Sequence, residues 1–233
     1  MATLSVRDLS KSYGGVHALA GVSFDVAAGE MVALIGPNGA GKTTCFNVLN
    51  GQLAPDSGEV LLDGASLVGR APHQVARLGV GRTFQVAATF GSMTVRENVQ
   101  VALDACGRSE ETETILARVG MADQGDVVCA ALAYGELKRV ELAMVLAQRP
   151  RLLLMDEPTA GMAPEERDAL MRLAADLARS ENIAVLFTEH DMSVVFGFAQ
   201  RVIALHLGEV IAEGTPELVR SNARLREVYL GDA

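Results

Sequence analysis

The sequence predicts an α/β fold: a mostly parallel sheet flanked by helices, with antiparallel strands at its start and a helical insertion in its middle. Three observations predict it. Short apolar runs alternate with amphipathic segments, the earliest stretches alternate apolar and polar residues with period two, and residues 86–148 carry apolar residues at helical spacing.

Each element follows from a local pattern. Residues 4–9 and 22–27 alternate and read as hairpin-type strands, with Gly14-Gly15 as a turn signal between them. Residues 31–35 are a continuous apolar run bounded by Glu30 and Gly36, which fits a parallel strand buried on both faces. A helix is expected over 41–49. Pro55-Asp56-Ser57-Gly58 is a turn, and residues 59–62 followed by Asp63-Gly64 give a strand and a second turn. In the middle, 94–103, 110–119 and 137–147 show amphipathic helical spacing. The core pattern resumes with an apolar strand over 151–155 that ends in Asp156. A helix (164–179), a strand (183–188), a helix (192–199) and strands at 201–206 and 209–213 complete it. Strand–helix–strand order implies right-handed crossovers and ligands at the carboxyl edge of the sheet.

Composition bounds the function. A chain of 233 residues that is 49% hydrophobic buries a sizeable core and excludes disorder. A net charge of −9 without a basic tract argues against a general nucleic-acid binder. The longest charge-free stretch is about 13 residues, against ~20 for a membrane-spanning helix. Residues 1–7 lack the apolar run of a signal peptide. Cys45, Cys106 and Cys129 are odd in number and widely spaced, so neither a disulfide framework nor a zinc site is expected. A soluble, cytosolic chain is the expectation.

The sharpest chemical signal is Gly36-Pro37-Asn38-Gly39-Ala40-Gly41-Lys42-Thr43-Thr44, directly after a buried strand and at a helix start. Its glycines let backbone N–H groups converge on a phosphate, and the helix N-terminus adds positive potential. Lys42, one of only three lysines beside 17 arginines, would reach the β- and γ-phosphates of a nucleotide. The Thr43 hydroxyl would hold Mg²⁺. A second acidic partner is needed, and Asp156-Glu157 at the end of an apolar strand supplies it. Asp156 would contact Mg²⁺, and Glu157 would polarise the attacking water.

These residues, with others between them, resemble the nucleotide-binding subunit of an ABC transporter over nearly the whole chain. Leu132-Ala133-Tyr134-Gly135-Glu136 resembles the family's signature motif. Gln85 in Arg82-Thr83-Phe84-Gln85 resembles the Q-loop, and His190 in Thr188-Glu189-His190-Asp191 resembles the switch histidine. Tyr13 resembles the aromatic that stacks on adenine, although alone it reads equally as a packed strand aromatic. The resemblance implies a P-loop NTPase (RecA-like) core with an N-terminal antiparallel β-subdomain (1–85 and 150–233) and an inserted helical subdomain (about 86–149). It implies ATP and Mg²⁺ as cofactors, with Glu157 as general base and His190 positioning water and γ-phosphate. Thr43, Gln85 and Asp156 would surround the metal. Read without the family, Gln85 has a helix-start cap as its alternative. Ala133, Gly135 and Glu136 would face the ATP of a second subunit, self or paralogue, in a head-to-tail pair. Further implied partners are two transmembrane permease subunits and, indirectly, a periplasmic solute-binding protein, with the chain peripheral at the cytoplasmic face of the inner membrane.

Two motifs depart from the commonest family pattern, at three residues. Ala133 and Tyr134 stand where Ser and Gly are usual, and Ala163 stands where the loop after Thr159 usually ends in an acid. The Leu-Ala-Tyr-Gly version, Arg82-Thr83-Phe84-Gln85, the helix start at 93–99 and the tail at 227–231 resemble the ATPase subunits of bacterial branched-chain (hydrophobic) amino acid importers. Urea and amide importers share much of this pattern, and lipopolysaccharide-export ATPases are similar in size. The uncharged segment 86–93 is expected to form an apolar surface for a partner's short helix. An ordinary loop buried in the subdomain is the alternative.

Overall fold

The computed structural model of the chain describes residues 2–109, 111–222 and 225. The tail pattern at 227–231 and Glu110, the first residue of the 110–119 helix expectation, lie outside the described residues.

β1 (Ala2–Tyr13) and β2 (Val16–Ala27) form a hairpin in which Tyr13 pairs with Val16 across Gly14-Gly15. Both strands outrun the alternating stretches in the sequence. Register shifts between Val6 and Leu9, and between Lys11 and Ser12, reset the in–out pattern midway. β1 also pairs with β4 (Ser57–Leu62), and the short β5 (Ala65–Ser66) completes a four-stranded antiparallel sheet.

The second sheet has six strands: β3 (Met31–Ile35), β6 (Val80–Thr83), β7 (Leu152–Asp156), β8 (Ala184–Thr188), β9 (Arg201–His206) and β10 (Glu209–Gly214). Their order is β10-β9-β3-β8-β7-β6, parallel from β9 to β6 with an antiparallel β10 edge. The apolar runs are continuous because both faces are covered. Ala33, Ile35, Leu153 and Met155 join one buried cluster, while Val32, Leu34, Leu152 and Leu154 join the other. α1 (Lys42–Leu49) and the antiparallel sheet pack on the second face.

β6 was not evident in the sequence. Gly81 and Arg82 break its apolar run, and Gly81 is there because α5 (Tyr134–Leu146) packs directly on its backbone. A Cβ at Gly81 would collide with Val145. Between β6 and β7, α5 contacts α3 (Val95–Ala105) and α4 (Thr112–Arg118), and the short α2 (Pro72–Arg77) precedes β6. α3 opens on a capping box: the Glu97 N–H donates to Thr94 Oγ1 (3.2 Å), and the Thr94 N–H donates to Glu97 Oε2 (2.8 Å). α6 (Pro164–Glu181), α7 (Met192–Phe198) and α8 (Pro216–Ser221) complete the described α-helices. Among the described residues no helix is long and apolar enough to cross a membrane.

Candidate functional site

Motifs far apart in sequence meet because β3, β8, β7 and β6 are consecutive parallel strands. The loops after them, which carry Gly36–Gly41, His190, Glu157 and Gln85, therefore open at one carboxyl edge.

The phosphate-binding loop is shaped by space. A Cβ on Gly36 would lie 2.5 Å from the Leu205 carbonyl oxygen and 2.8 Å from Ala40 Cβ. Gly41 caps α1 with φ of 108°, and a Cβ there would run into the carbonyl oxygen of Ala18. The Lys42 ammonium curls back to donate to the carbonyls of Gly36 (2.6 Å) and Pro37 (3.1 Å). Burial holds its pKa below the ordinary lysine value, opposed by the charges of Glu157 and Asp156. Thr43 is exposed and Thr44 half-buried in the first turn of α1. A cavity of about 270 Å³ is lined by Tyr13, the loop from Asn38 to Thr44, Asp156 and Glu157. Tyr13 is 50% exposed beside this cavity, so it is not a packed strand aromatic.

At the end of β7 the two carboxylates face different partners. Asp156 accepts from Thr188 Oγ1 (2.9 Å) and from the Arg82 guanidinium (2.9 Å), which also reaches Asn47 (2.9 Å). Glu157 has a left-handed φ of 45°, a conformation costing about 1–3 kcal/mol in a non-glycine residue. Its N–H holds that geometry by donating to the Thr188 carbonyl (3.2 Å) and hydroxyl (3.1 Å). The turn swings the Glu157 carboxylate between two motifs: Oε1 lies 2.8 Å from His190 Nε2, and Oε2 accepts from Gln85 Nε2 at 2.9 Å. Gln85 sits in the bend after β6, at no helix start, so the cap alternative fails.

Two residues here escaped the sequence reading. Arg82 is one arginine among many, and only the strand pairing of β6 with β7 puts it on Asp156. Glu189, buried at the end of β8, accepts from the Thr159 N–H (3.0 Å) and hydroxyl (2.5 Å), tying the loop after Glu157 to the one carrying His190. Its position beside His190, after an apolar strand, was the available signal.

The signature segment lies at the start of α5. Ala133 is the N-cap with no side chain to cap with, and Ala163 occupies the same position on α6. Two of the three departures, Ala133 and Ala163, are thus N-cap positions, and the third, Tyr134, is the first residue of α5. In each helix a glutamate at the third position accepts the N-cap N–H instead: Glu136 from Ala133 (2.9 Å) and Glu166 from Ala163 (3.3 Å). The other Glu136 oxygen accepts from Gln124 (2.8 Å). Hydrogen bonds from Gln124 and Ala133 hold the Glu136 carboxyl below the usual range. Both its oxygens are engaged within the chain. Gly135 is buried against Met162 and Glu166.

A strand-to-helix glycine loop facing a strand-end Asp-Glu pair is the nucleotide site of a P-loop NTPase, and residues 19–160 match the ABC transporter family model. The chain belongs to the ABC transporter family, whose members bind and hydrolyse ATP. It is 38% identical to the high-affinity branched-chain amino acid transport ATP-binding protein BraF of Pseudomonas aeruginosa, over 99% of this chain and 98% of that protein. It is 37% identical to LivG of Escherichia coli K12, which carries the same description, with the same coverage. The crystal structure of the ADP conformation of MJ1267, an ATP-binding cassette of an ABC transporter, superposes with a TM-score of 0.90 at 29% identity, covering all of both chains.

Proposed function

We propose that this chain is the ATP-hydrolysing subunit of an importer of branched-chain amino acids, working as a head-to-tail pair at the cytoplasmic face of the inner membrane. The observation that carries the hydrolytic reading is the meeting of Gln85, Glu157 and His190 on one carboxylate beside the phosphate-binding loop. Amino acid uptake is supported by near full-length likeness to BraF and LivG.

The residues fit ATP. The loop is walled by backbone where a Cβ would intrude, and the Lys42 ammonium rests on carbonyls that a phosphate can replace. Tyr13 offers a half-exposed ring at the cavity mouth for the base. They also fit Mg²⁺. Among the described residues no cluster of three or more His, Cys, Asp or Glu could hold a metal. Mg²⁺ beside a nucleotide needs only one or two carboxylates together with phosphate oxygens. Thr43, Asp156 and Gln85 supply hard oxygen donors of that kind. Bound there, Mg²⁺ would neutralise charge on the β- and γ-phosphates.

Glu157 takes a proton from a water while that water's oxygen bonds to the γ-phosphorus and the bond to the β–γ bridging oxygen breaks. His190 orients the water and the γ-phosphate, and Lys42 with the α1 N-terminus receives the developing charge. The second face of each nucleotide is covered by Ala133, Gly135 and Glu136 of the other subunit. Ala133 brings no hydroxyl, so Gly135 acts through its backbone.

The helical part, about 86–149, couples this chemistry to two membrane permease subunits, which a periplasmic binding protein serves from the other side. Val86 (74%) and Phe90 (48%) are exposed, while buried Asn98 fixes the Phe90 backbone by accepting from its N–H (2.7 Å) and donating to its carbonyl (3.1 Å). An exposed aromatic on a pinned backbone suits a docking contact.

The decisive experiment is Glu157→Gln. ATP binding should persist while turnover falls by about two or more orders of magnitude, as for loss of a general base. Near-normal hydrolysis refutes the assignment. Purifying the membrane complex and identifying its binding protein tests the substrate: a pocket for branched aliphatic side chains supports import of these amino acids, and a lipid-handling partner refutes it.

A further inference from the structure

Three side chains of α5 bind the loop that carries Gln85. Glu141 Oε1 accepts from two backbone N–H groups, those of Phe84 (3.0 Å) and Ala88 (3.1 Å), and so spans the loop. Lys138 Nζ donates to the Phe84 carbonyl and to Glu141 Oε2 (3.3 Å). The Tyr134 hydroxyl donates to the carbonyl of Gln85 itself (2.6 Å). The Lys138 and Glu141 side chains are only 2% and 3% exposed.

A buried ion pair is a poor device for stability alone, because desolvation offsets most of its Coulomb gain. These charges instead satisfy backbone groups of a loop that has no strand or helix to satisfy them. The result is mechanical. Residues 84–88 cannot move relative to α5 without unpairing buried charge, and the Gln85 side chain, bonded to Glu157, rides on that loop. Tyr134 is one of the chain's departures from the family pattern, and the glycine usual there has no hydroxyl to give.

We propose that Tyr134, Lys138 and Glu141 are positioning residues that lock the Gln85 loop to the signature helix of the same chain. Gln85 then meets Glu157 only when α5 is in register. The signature segment, facing one nucleotide, thereby sets the hydrolytic geometry at the other. This rests on the reading that Gln85 and Glu157 act in hydrolysis.

Tyr134→Phe is the informative variant. It deletes one oxygen and keeps the ring beside Lys138 (5.8 Å from ammonium to ring centre), whereas changes at Glu141 strand a buried charge and risk the fold. Steady-state ATP hydrolysis by the full chain is measured for wild type, Tyr134→Phe, Gln85→Ala and the double variant. Tyr134→Phe should lower kcat about 3- to 10-fold, the range that one lost hydrogen bond permits, with KM for ATP within twofold. In the Gln85→Ala background it should have no further effect. An unchanged kcat in Tyr134→Phe, a rise in KM alone, or the same fold-loss in both backgrounds overturns the proposal. A Gln85→Ala protein with wild-type kcat overturns the underlying reading and the proposal with it, and is distinguishable because it needs no Tyr134 variant.

Discussion

Two helix N-termini carry the glycine motifs, and they are finished in opposite ways. The start of α1 is walled in by its own chain. Gly41 is pressed against the Ala18 carbonyl, Gly36 against Leu205, and Lys42 folds over the loop. The start of α5 is open. Its N-cap is an alanine, a Cβ on its glycine would meet the ends of flexible side chains, and a glutamate covers the N-cap N–H. Anion affinity at a helix N-terminus comes from convergent N–H groups. The first terminus is complete within one chain, while under the proposed head-to-tail pairing the second is the half of a site that another subunit completes.

The largest expected effect breaks this comparison at its glycines. Gly41→Ala must place a Cβ into backbone at φ of 108°, so ATP binding should be lost or the chain should fail to fold. Gly135→Ala meets Met162 Cε at 3.2 Å and Glu166 Oε1 at 3.3 Å, groups that can give way. The isolated chain should fold and bind ATP normally, with any defect confined to pairing. Titration with a fluorescent ATP analogue and sedimentation measure the two.

Next in size is Arg82→Met. The Arg82 and Asp156 side chains are 10% and 20% exposed, and removing one partner of a buried pair costs about 3 kcal/mol or more. The thermal midpoint of the nucleotide-free protein should fall by roughly 6–12 °C, read by calorimetry. No shift would mean that Asp156 is sustained by Thr188 alone. Phe90→Asp should leave folding and ATP binding unchanged, since the ring is half exposed, and should abolish assembly with the permease subunits in a pull-down from membranes.

The smallest effects sharpen the comparison at the caps. Ala133→Ser and Ala163→Asp restore side-chain caps on α5 and α6 and should each stabilise the chain by about 1 kcal/mol, near 2–4 °C. If Ala133→Ser raised ATP-driven pairing without raising the midpoint, the hydroxyl would be acting on the partner's nucleotide rather than on its own helix.

Much of this molecule was legible from residues alone. The apolar runs at 31–35 and 201–206 coincide with β3 and β9, because burial on both faces leaves an unbroken signature. The glycine loop was legible because wrapping a phosphate with consecutive backbone N–H groups fixes a spacing within about ten residues, although Leu205 and Ala18 are what wall in Gly36 and Gly41. β6 was not, since Gly81 and Arg82 answer to α5 and to Asp156, which lie far along the chain. The Glu136 hydrogen bond to Gln124 was not legible either, because Gln124 belongs to a separate turn of the chain.

The sequence by itself determined which chemical groups the chain carries and in what order: a phosphate loop, a strand-end acid pair, a switch histidine and a signature helix. Only the tertiary structure decided which of them touch. Strand order is set by long-range pairing and two-sided burial, and it alone brings Gln85 and His190 each within 3 Å of the Glu157 carboxylate. It also explains why Tyr134 matters. Sequence marks it as a departure at a helix start, but its hydroxyl finds Gln85 only because α5 packs across β6. Local periodicity reports a residue's own element, whereas a hydrogen bond between elements 49 positions apart is written in packing.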